Sequence, residues 1–121
     1  MKKSRFLLPV LLLFFSGLVG LAVAQGAKSL DGKKIFTAQN CQMCHDVSSA
    51  GIKATTKSER MKGPDLTGKL ADKDADVMAD ILKKKKNTEN GKPHPKAFTG
   101  SDEELKAMIA WLKDQKPTGG Q

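Results

Sequence analysis

The two cysteines of the chain lie three residues apart and are followed at once by a histidine, in the run Cys41-Gln42-Met43-Cys44-His45. On a helical turn, thiols at this spacing point to the same side, so both can bond to the two vinyl groups on one edge of a porphyrin. The next residue, His45, then lies below the ring, where its imidazole can bind the iron. This pattern is the attachment signature of a c-type haem. The sequence therefore predicts one haem c, covalently attached through Cys41 and Cys44.

Three other uses of paired cysteines fit the chain less well. A redox-active Cys-x-x-Cys site is expected in a strand–helix–strand context, and no segment here has a convincing strand alternation. A zinc site takes four ligands; Cys41, Cys44 and His94 supply three, and His45 beside Cys44 is awkward as the fourth. A disulfide that closes so short a loop would stabilise the fold little.

The first 24 residues have the pattern of a secretory signal peptide. Residues 1–5 are basic, residues 6–21 are apolar, and residues 22–24 form an Ala-Val-Ala cleavage site. The apolar run is long enough to stay in a membrane, but its Pro9, its glycines and its Ala-x-Ala end favour cleavage. We therefore expect an exported, periplasmic protein that is anchored to the membrane only if the signal peptide is not cleaved.

Cleavage leaves 97 of the 121 residues, which is one small domain. So short a chain buries a core with difficulty unless another group fills its interior, and haem is a large, flat, apolar body. The length excludes a large multidomain enzyme, and the two cysteines exclude a disulfide-dense scaffold. We expect a short N-terminal tether over residues 25–28, the domain over 29–116 and a flexible C-terminal tail over 117–121.

Three helices are predicted in the domain. The first begins at Ser29 or Asp31, either of which can cap it, and runs to about residue 40. The second covers about residues 72–86, with apolar side chains along one face. The third begins at Ser101, which opens a capping box. The segments between them are polar and rich in turn residues, which predicts long loops.

The sequence resembles the small class I cytochromes c over nearly all of residues 29–116. Four segments carry the resemblance: GKKIF at 32–36, CQMCH at 41–45, GPDL at 63–66 and IAWL at 109–112. It implies an all-α, small cytochrome c-like fold of about three main helices wrapped around one covalent haem. It also implies a close crossing of the first and last helices, where Gly32 and Phe36 meet Met108 and Trp111.

The resemblance implies a role for residues on both sides of the iron. On one side, the carbonyl of Pro64 would accept the Nδ1–H of His45 and so orient that ligand. On the other side the family usually has a methionine in the loop before the last helix. Here residues 93–98 read Pro-His-Pro-Lys-Ala-Phe, without a methionine. We therefore expect His94 to be the second axial ligand.

Other residues compete with His94 for the sixth position of the iron. If His94 is only a solvated loop residue, the sixth position stays open or a methionine binds there. Met78 is the next candidate, although it shares one face of the second predicted helix with Ile81 and Leu82, which favours a place in the core. Met61 lies beside the Gly-Pro segment, on the wrong side of the iron by the geometry of the family.

Whether a protein side chain fills the sixth position of the iron distinguishes two classes of function. With both axial positions filled, the protein is a monohaem c-type cytochrome that carries single electrons between redox partners outside the cytoplasm, and not an enzyme. Two histidine ligands predict a low midpoint potential, because imidazole favours ferric iron more than a thioether does. The alternative is a protein that binds or senses CO, NO or O₂ at an open or displaceable sixth position.

The positive charge of the chain predicts acidic partners. Residues 25–121 keep 18 of the 21 Lys and Arg against 13 Asp and Glu, a net charge of +5. The densest run, residues 83–86, is four lysines, which suits either a solvated helix end or a docking patch for an acidic redox protein. Nucleic acid is not expected, because the chain is exported and no aromatic residues interleave with the basic ones. The sequence does not indicate the oligomeric state.

Overall fold

The computed structural model describes residues 29–119. Over this range the expected all-α fold is confirmed, with no strand and three α-helices: α1 (Gly32–Ala38), α2 (Ala75–Leu82) and α3 (Asp102–Lys113). Two short 3₁₀ turns, Cys41–Met43 and Ser48–Ala50, follow α1. No helix in the described range is long and apolar enough to cross a membrane. The expected signal peptide and tether, residues 1–28, and the last two residues of the tail lie outside the described residues.

Helices α1 and α3 cross at a close contact, as the resemblance implies. Gly32 lies against α3 so closely that a Cβ on it would clash with Trp111 and lie 2.7 Å from the carbonyl oxygen of Ala107. Farther along α1, the rings of Phe36 and Trp111 are 5.6 Å apart between centroids. Phe36 and Met108 are each only 1% exposed. The predicted crossing is confirmed, and it explains a glycine at the start of a helix.

Helix α3 begins where the capping box predicts. The Ser101 side chain accepts a hydrogen bond from the backbone N–H of Glu104, whose carboxylate accepts one from the backbone N–H of Ser101. The apolar residues of α3 recur at helical spacing on one face, which makes that face the centre of the core. The buried residues of this helix are Leu105, Met108, Ile109 and Leu112.

The start of α2 differs from the prediction. The helix begins at Ala75 instead of about residue 72, because Asp74 caps it. The Asp74 carboxylate accepts hydrogen bonds from the backbone N–H groups of Asp76 at 2.9 Å and Val77 at 3.0 Å. An aspartate at this position satisfies N–H groups that have no partner inside the helix.

The end of α2 also differs, since the helix stops at Leu82 instead of about residue 86. Lys84 takes the left-handed conformation, with φ at 59°. Its N–H bonds the carbonyl of Ile81 at 3.0 Å, and the N–H of Lys85 bonds the carbonyl of Asp80 at 2.8 Å. These two bonds form a Schellman motif, which ends a helix. The four-lysine run therefore lies beyond the last turn of the helix, with Lys83 as the C-cap.

Candidate haem-binding site

The Cys-x-x-Cys-His segment forms a tight turn directly after α1. The 3₁₀ turn Cys41–Met43 brings the N–H groups of Cys44 and His45 to the carbonyl of Cys41, at 3.2 and 3.1 Å. Both thiols are free and half-buried. Burial raises the pKa of the Cys41 thiol. The two sulfurs and the imidazole that follows are thus presented from one turn of backbone.

The imidazole of His45 is fixed by the Gly63-Pro64 segment. Its Nδ1 lies 2.9 Å from the carbonyl oxygen of Pro64. A carbonyl can only accept, so Nδ1 carries a proton, and in the neutral ring the lone pair is on Nε2. Gly63 lies against the ring: a Cβ there would be 2.6 Å from Nδ1. Burial lowers the pKa of His45, although its bond to Pro64 opposes this effect. The bond to Pro64 therefore fixes the orientation of the ring, and Nε2 is the nitrogen that can bind a metal.

Asp65 holds this segment in place. Its carboxylate accepts hydrogen bonds from the N–H and the hydroxyl of Ser48 and, at 2.9 Å, from the N–H of Thr67. These bonds, first of all the one from the Ser48 hydroxyl, lower the pKa of Asp65 to about 2. Because the pKa is lower in the folded state, this stabilisation is present above the ordinary pKa of aspartate and is lost only as the pH falls towards 2.

His94 is half-buried in the loop between α2 and α3, with Pro93 and Pro95 on either side. Its Nδ1 lies 2.6 Å from the carbonyl oxygen of Lys96. By the same argument as for His45, Nδ1 donates to this carbonyl, which leaves Nε2 as the nitrogen that can bind a metal. The loop is tied to the end of α2, since the N–H of Phe98 donates to the carbonyl of Leu82 at 2.9 Å.

The two histidines face each other. Their ring centroids are 6.1 Å apart, and their planes differ by 10°. This is too far for direct contact of the ring faces, but it suits one metal ion between them. An imidazole nitrogen lies about 2 Å from a bound metal and about 1 Å from its own ring centre, so two rings on one ion have centroids about 6 Å apart. The spacing of the His45 and His94 rings is therefore that of two imidazoles on a single iron, and each has its Nδ1 on a carbonyl, as metal-binding histidines usually do.

The cysteines and histidines do not gather into a metal site of their own. Among residues 29–119 there is no group of three or more His, Cys, Asp or Glu side chains that could hold a metal ion. Two imidazoles would occupy only two positions of a six-coordinate iron, and the four nitrogens of a porphyrin would complete the set. The arrangement thus fits haem and gives no support to a zinc site.

The methionines lie in other environments. Met61 is 56% exposed and Met43 is 47% exposed, whereas Met108 is buried in the core. Met78 is partly buried and packs against the core, as its helical stripe predicts. His94 is the side chain whose ring is paired with that of His45.

The sequence did not indicate two supports of the His94 loop. One is the carbonyl of Lys96, which orients His94. The other is the ammonium of Lys84, which donates to the carbonyl of Pro95 at 3.3 Å. Both contacts involve backbone oxygens, which carry no residue-specific signal, so no pattern in the sequence could have revealed them.

An all-α domain of three helices that presents two cysteines and a histidine from one turn has the fold and the site of a c-type cytochrome. A family model described as "Cytochrome c" matches residues 29–116, and the chain belongs to that family. Comparisons with curated proteins and with solved structures gave no significant match. Members of the family bind haem c covalently through cysteine, and this chain has Cys41 and Cys44.

Proposed function

We propose that the protein is a monohaem electron carrier whose single haem c is bound through Cys41 and Cys44, with His45 and His94 as axial ligands. The observation that carries this proposal is the pair of facing imidazoles, 6.1 Å apart between ring centroids. Members of the cytochrome c family are generally electron carriers and not enzymes, which supports the same function.

The protein groups around the iron suit electron transfer. A bound haem supplies an iron that gains and loses one electron. His45 and His94 each hold the Nδ1 proton on a backbone carbonyl, which makes Nε2 a stronger donor. Stronger imidazole donors favour ferric iron, so we expect a midpoint potential below that of relatives with a methionine ligand. With both axial positions filled, electrons pass to partners without a bond between the partner and the iron.

One observation favours a second function, the binding or sensing of CO, NO or O₂. The Nδ1 of His45 is bonded to Pro64, 19 residues away in the chain, whereas that of His94 is bonded to Lys96, two residues away. His94 can therefore move away together with its own hydrogen-bond partner. A ligand-binding protein would release His94 readily, and an electron carrier would retain it.

Covalent attachment is tested by the mass of the intact protein. We expect the protein, expressed in a host that attaches haem c and then denatured and treated with acid–acetone, to keep the mass of one haem. The thioether bonds survive this treatment, whereas an iron ligand does not. The matched control is the variant Cys41→Ser/Cys44→Ser, which should lose the haem. An apoprotein mass for the wild type would exclude a c-type attachment.

The export of the protein is part of the proposal and depends on residues 1–24. Their basic, apolar and small-residue regions support secretion to the periplasm and cleavage after Ala24. The same intact mass reports the N-terminus, so the expected value is that of residues 25–121 plus one haem. A membrane-bound product that begins at Met1 would instead mean that the segment stays as an anchor.

We propose that the redox partners have acidic docking surfaces, and that Lys85 and Lys86 attract them. The other two lysines of the run are engaged within the protein: Lys83 pairs with Asp102 at 2.5 Å, and Lys84 bonds the carbonyl of Pro95. Lys85 and Lys86 are exposed. Their charges therefore face an approaching partner more freely than the first two.

This docking surface is tested on an electrode coated with carboxylate-terminated thiols, which stands in for an acidic partner. We expect Lys85→Gln/Lys86→Gln to slow adsorption at low salt by about two- to tenfold, because long-range attraction accelerates encounter. The difference should vanish at high salt, where the charges are screened. The control Lys57→Gln/Lys62→Gln changes the net charge equally. Equal slowing by both double variants would mean that only the net charge matters.

A further inference from the structure

Lys84 has a backbone conformation that lysine disfavours. Its φ of 59° lies in the left-handed region, where a Cβ is crowded and glycine is the usual residue at the end of a helix. The other non-glycine residue with a positive φ among residues 29–119 is Asn40, a residue type that tolerates this conformation. A side chain kept at an unfavourable backbone position points to a function for that side chain.

The Lys84 side chain reaches the loop that carries His94. Its ammonium donates to the carbonyl of Pro95, the residue directly after His94, at 3.3 Å. Lys84 is exposed, so its side chain is not retained to fill the core. The left-handed turn at Lys84 directs the chain away from α2 at the place where the Leu82 carbonyl accepts from Phe98. The end of α2 thus holds the loop at two points, Pro95 and Phe98.

We propose that Lys84 is a positioning residue for His94: its ammonium fixes the Pro95 carbonyl and so slows the departure of His94 from the iron. The proposal rests on the proposed function, because it requires His94 to be an axial ligand. Lys84 does not touch the haem ligand itself. It acts through Pro95, whose ring fixes the backbone between His94 and the carbonyl that Lys84 contacts, and it counteracts the mobility that the short-range bond to Lys96 allows.

The test measures how fast His94 leaves the iron. When ferrous holoprotein is mixed with excess carbon monoxide, the bond from His94 Nε2 to the iron must break before the bond from carbon monoxide forms, so the rate levels off at the rate of His94 release. We expect Lys84→Met and Lys84→Gly to raise this limiting rate about two- to tenfold, the range for loss of one hydrogen bond. Lys84→Arg, which keeps a cationic donor, should stay close to the wild type.

Two controls separate positioning from other effects of the substitution. Lys57→Met removes the same charge from an exposed residue far along the chain from the His94 loop and should leave the limiting rate unchanged. Lys84→Gly relieves the left-handed strain, so its thermal unfolding temperature should not fall even though His94 is released faster. A general loosening of the fold would instead lower the unfolding temperature and raise the release rate together.

The proposal is overturned if Lys84→Met and Lys84→Gly bind carbon monoxide at the wild-type limiting rate, or if Lys57→Met accelerates binding as much as they do. Failure of the proposed function looks different. If wild-type binding rises in proportion to carbon monoxide concentration without levelling off, His94 does not occupy the sixth position, and both proposals are wrong.

Discussion

Replacing His94 with alanine is expected to open the sixth position of the iron and to let carbon monoxide bind the ferrous protein in one fast step. The structure places the imidazole of His94 opposite that of His45, with the ring planes within 10° of each other. No other described side chain is paired with the His45 ring in this way. The spectrum of the ferric variant should change from low-spin towards high-spin, because one strong nitrogen ligand is lost, and added imidazole should restore it.

Replacing His94 with methionine should keep six-coordinate iron and raise the midpoint potential. A thioether favours ferrous iron, and axial ligands set haem potentials over roughly 0.8 V. We expect an increase on the order of 0.1 V, measured by redox titration in the visible spectrum. The ferric protein should also gain the weak far-red band of a methionine sulfur ligand, which the wild type should lack.

Met78→Leu is the matched control, because it removes the other candidate ligand while the apolar volume is nearly kept. This variant should keep the wild-type potential and the slow binding of carbon monoxide. If His94→Ala stays low-spin with an unchanged potential while Met78→Leu opens the iron, then Met78 is the ligand and His94 is a bystander.

The features that could be predicted from the sequence are those encoded over a few residues. The haem-attachment motif spans five residues, and the capping box needs only Ser101 and Glu104, three apart. The crossing of α1 and α3 was predicted from the family resemblance, which marked Gly32 and Trp111 as partners. In each case the residue types themselves are required by the contact.

The predicted start and end of α2 were wrong because competing sequence signals of similar strength lie close together. Asp72 and Asp74 are both good caps, and the structure uses the second. At the other end, Lys84 adopts a left-handed conformation that lysine has no tendency to take by itself. Its contact with the backbone of Pro95 depends on how the loop returns to α2, and helix periodicity contains no information about that path.

The pairing of His45 with His94 could be predicted from the sequence only in part. The sequence places an imidazole in the loop before α3, but it does not say where the ring points. That direction depends on the carbonyl of Lys96 and on the bond from Phe98 to Leu82, which hold the loop over the site. A histidine between two prolines is equally compatible with a solvated loop, so only the geometry favours the ligand role over that alternative.

Replacing Gly32, the single glycine of α1 and α3, with alanine is expected to destabilise the protein, because Gly32 lies where these helices cross. The new Cβ would clash with the Cβ of Trp111 and lie 2.7 Å from the carbonyl oxygen of Ala107. The carbonyl belongs to the backbone of α3 and cannot rotate away, so the helices must separate.

Two opposing effects decide whether Gly32→Ala raises or lowers the free energy of unfolding. Alanine is better than glycine inside a helix by up to about 1 kcal/mol, and the gain is smaller at Gly32 because it is the first residue of α1. Overpacking a tight contact costs about 1–3 kcal/mol, and moving the whole helix away would also weaken the contact between Phe36 and Trp111. The steric cost therefore exceeds the gain, with a net loss of about 1–2 kcal/mol.

Thermal unfolding of the holoprotein, followed by circular dichroism, measures this loss. In a domain of this size, 1 kcal/mol lowers the unfolding temperature by roughly 4–8 °C, so Gly32→Ala should unfold about 5–15 °C below the wild type. Gly119→Ala makes the same chemical change where no heavy atom lies within 4 Å, and it should unfold with the wild type. The haem spectrum of Gly32→Ala should remain that of the wild type before unfolding, because the cysteines and both histidines lie outside α1 and α3. An unfolding temperature equal to or above that of the wild type would mean that the helices do not pack as closely at Gly32 as the structure places them.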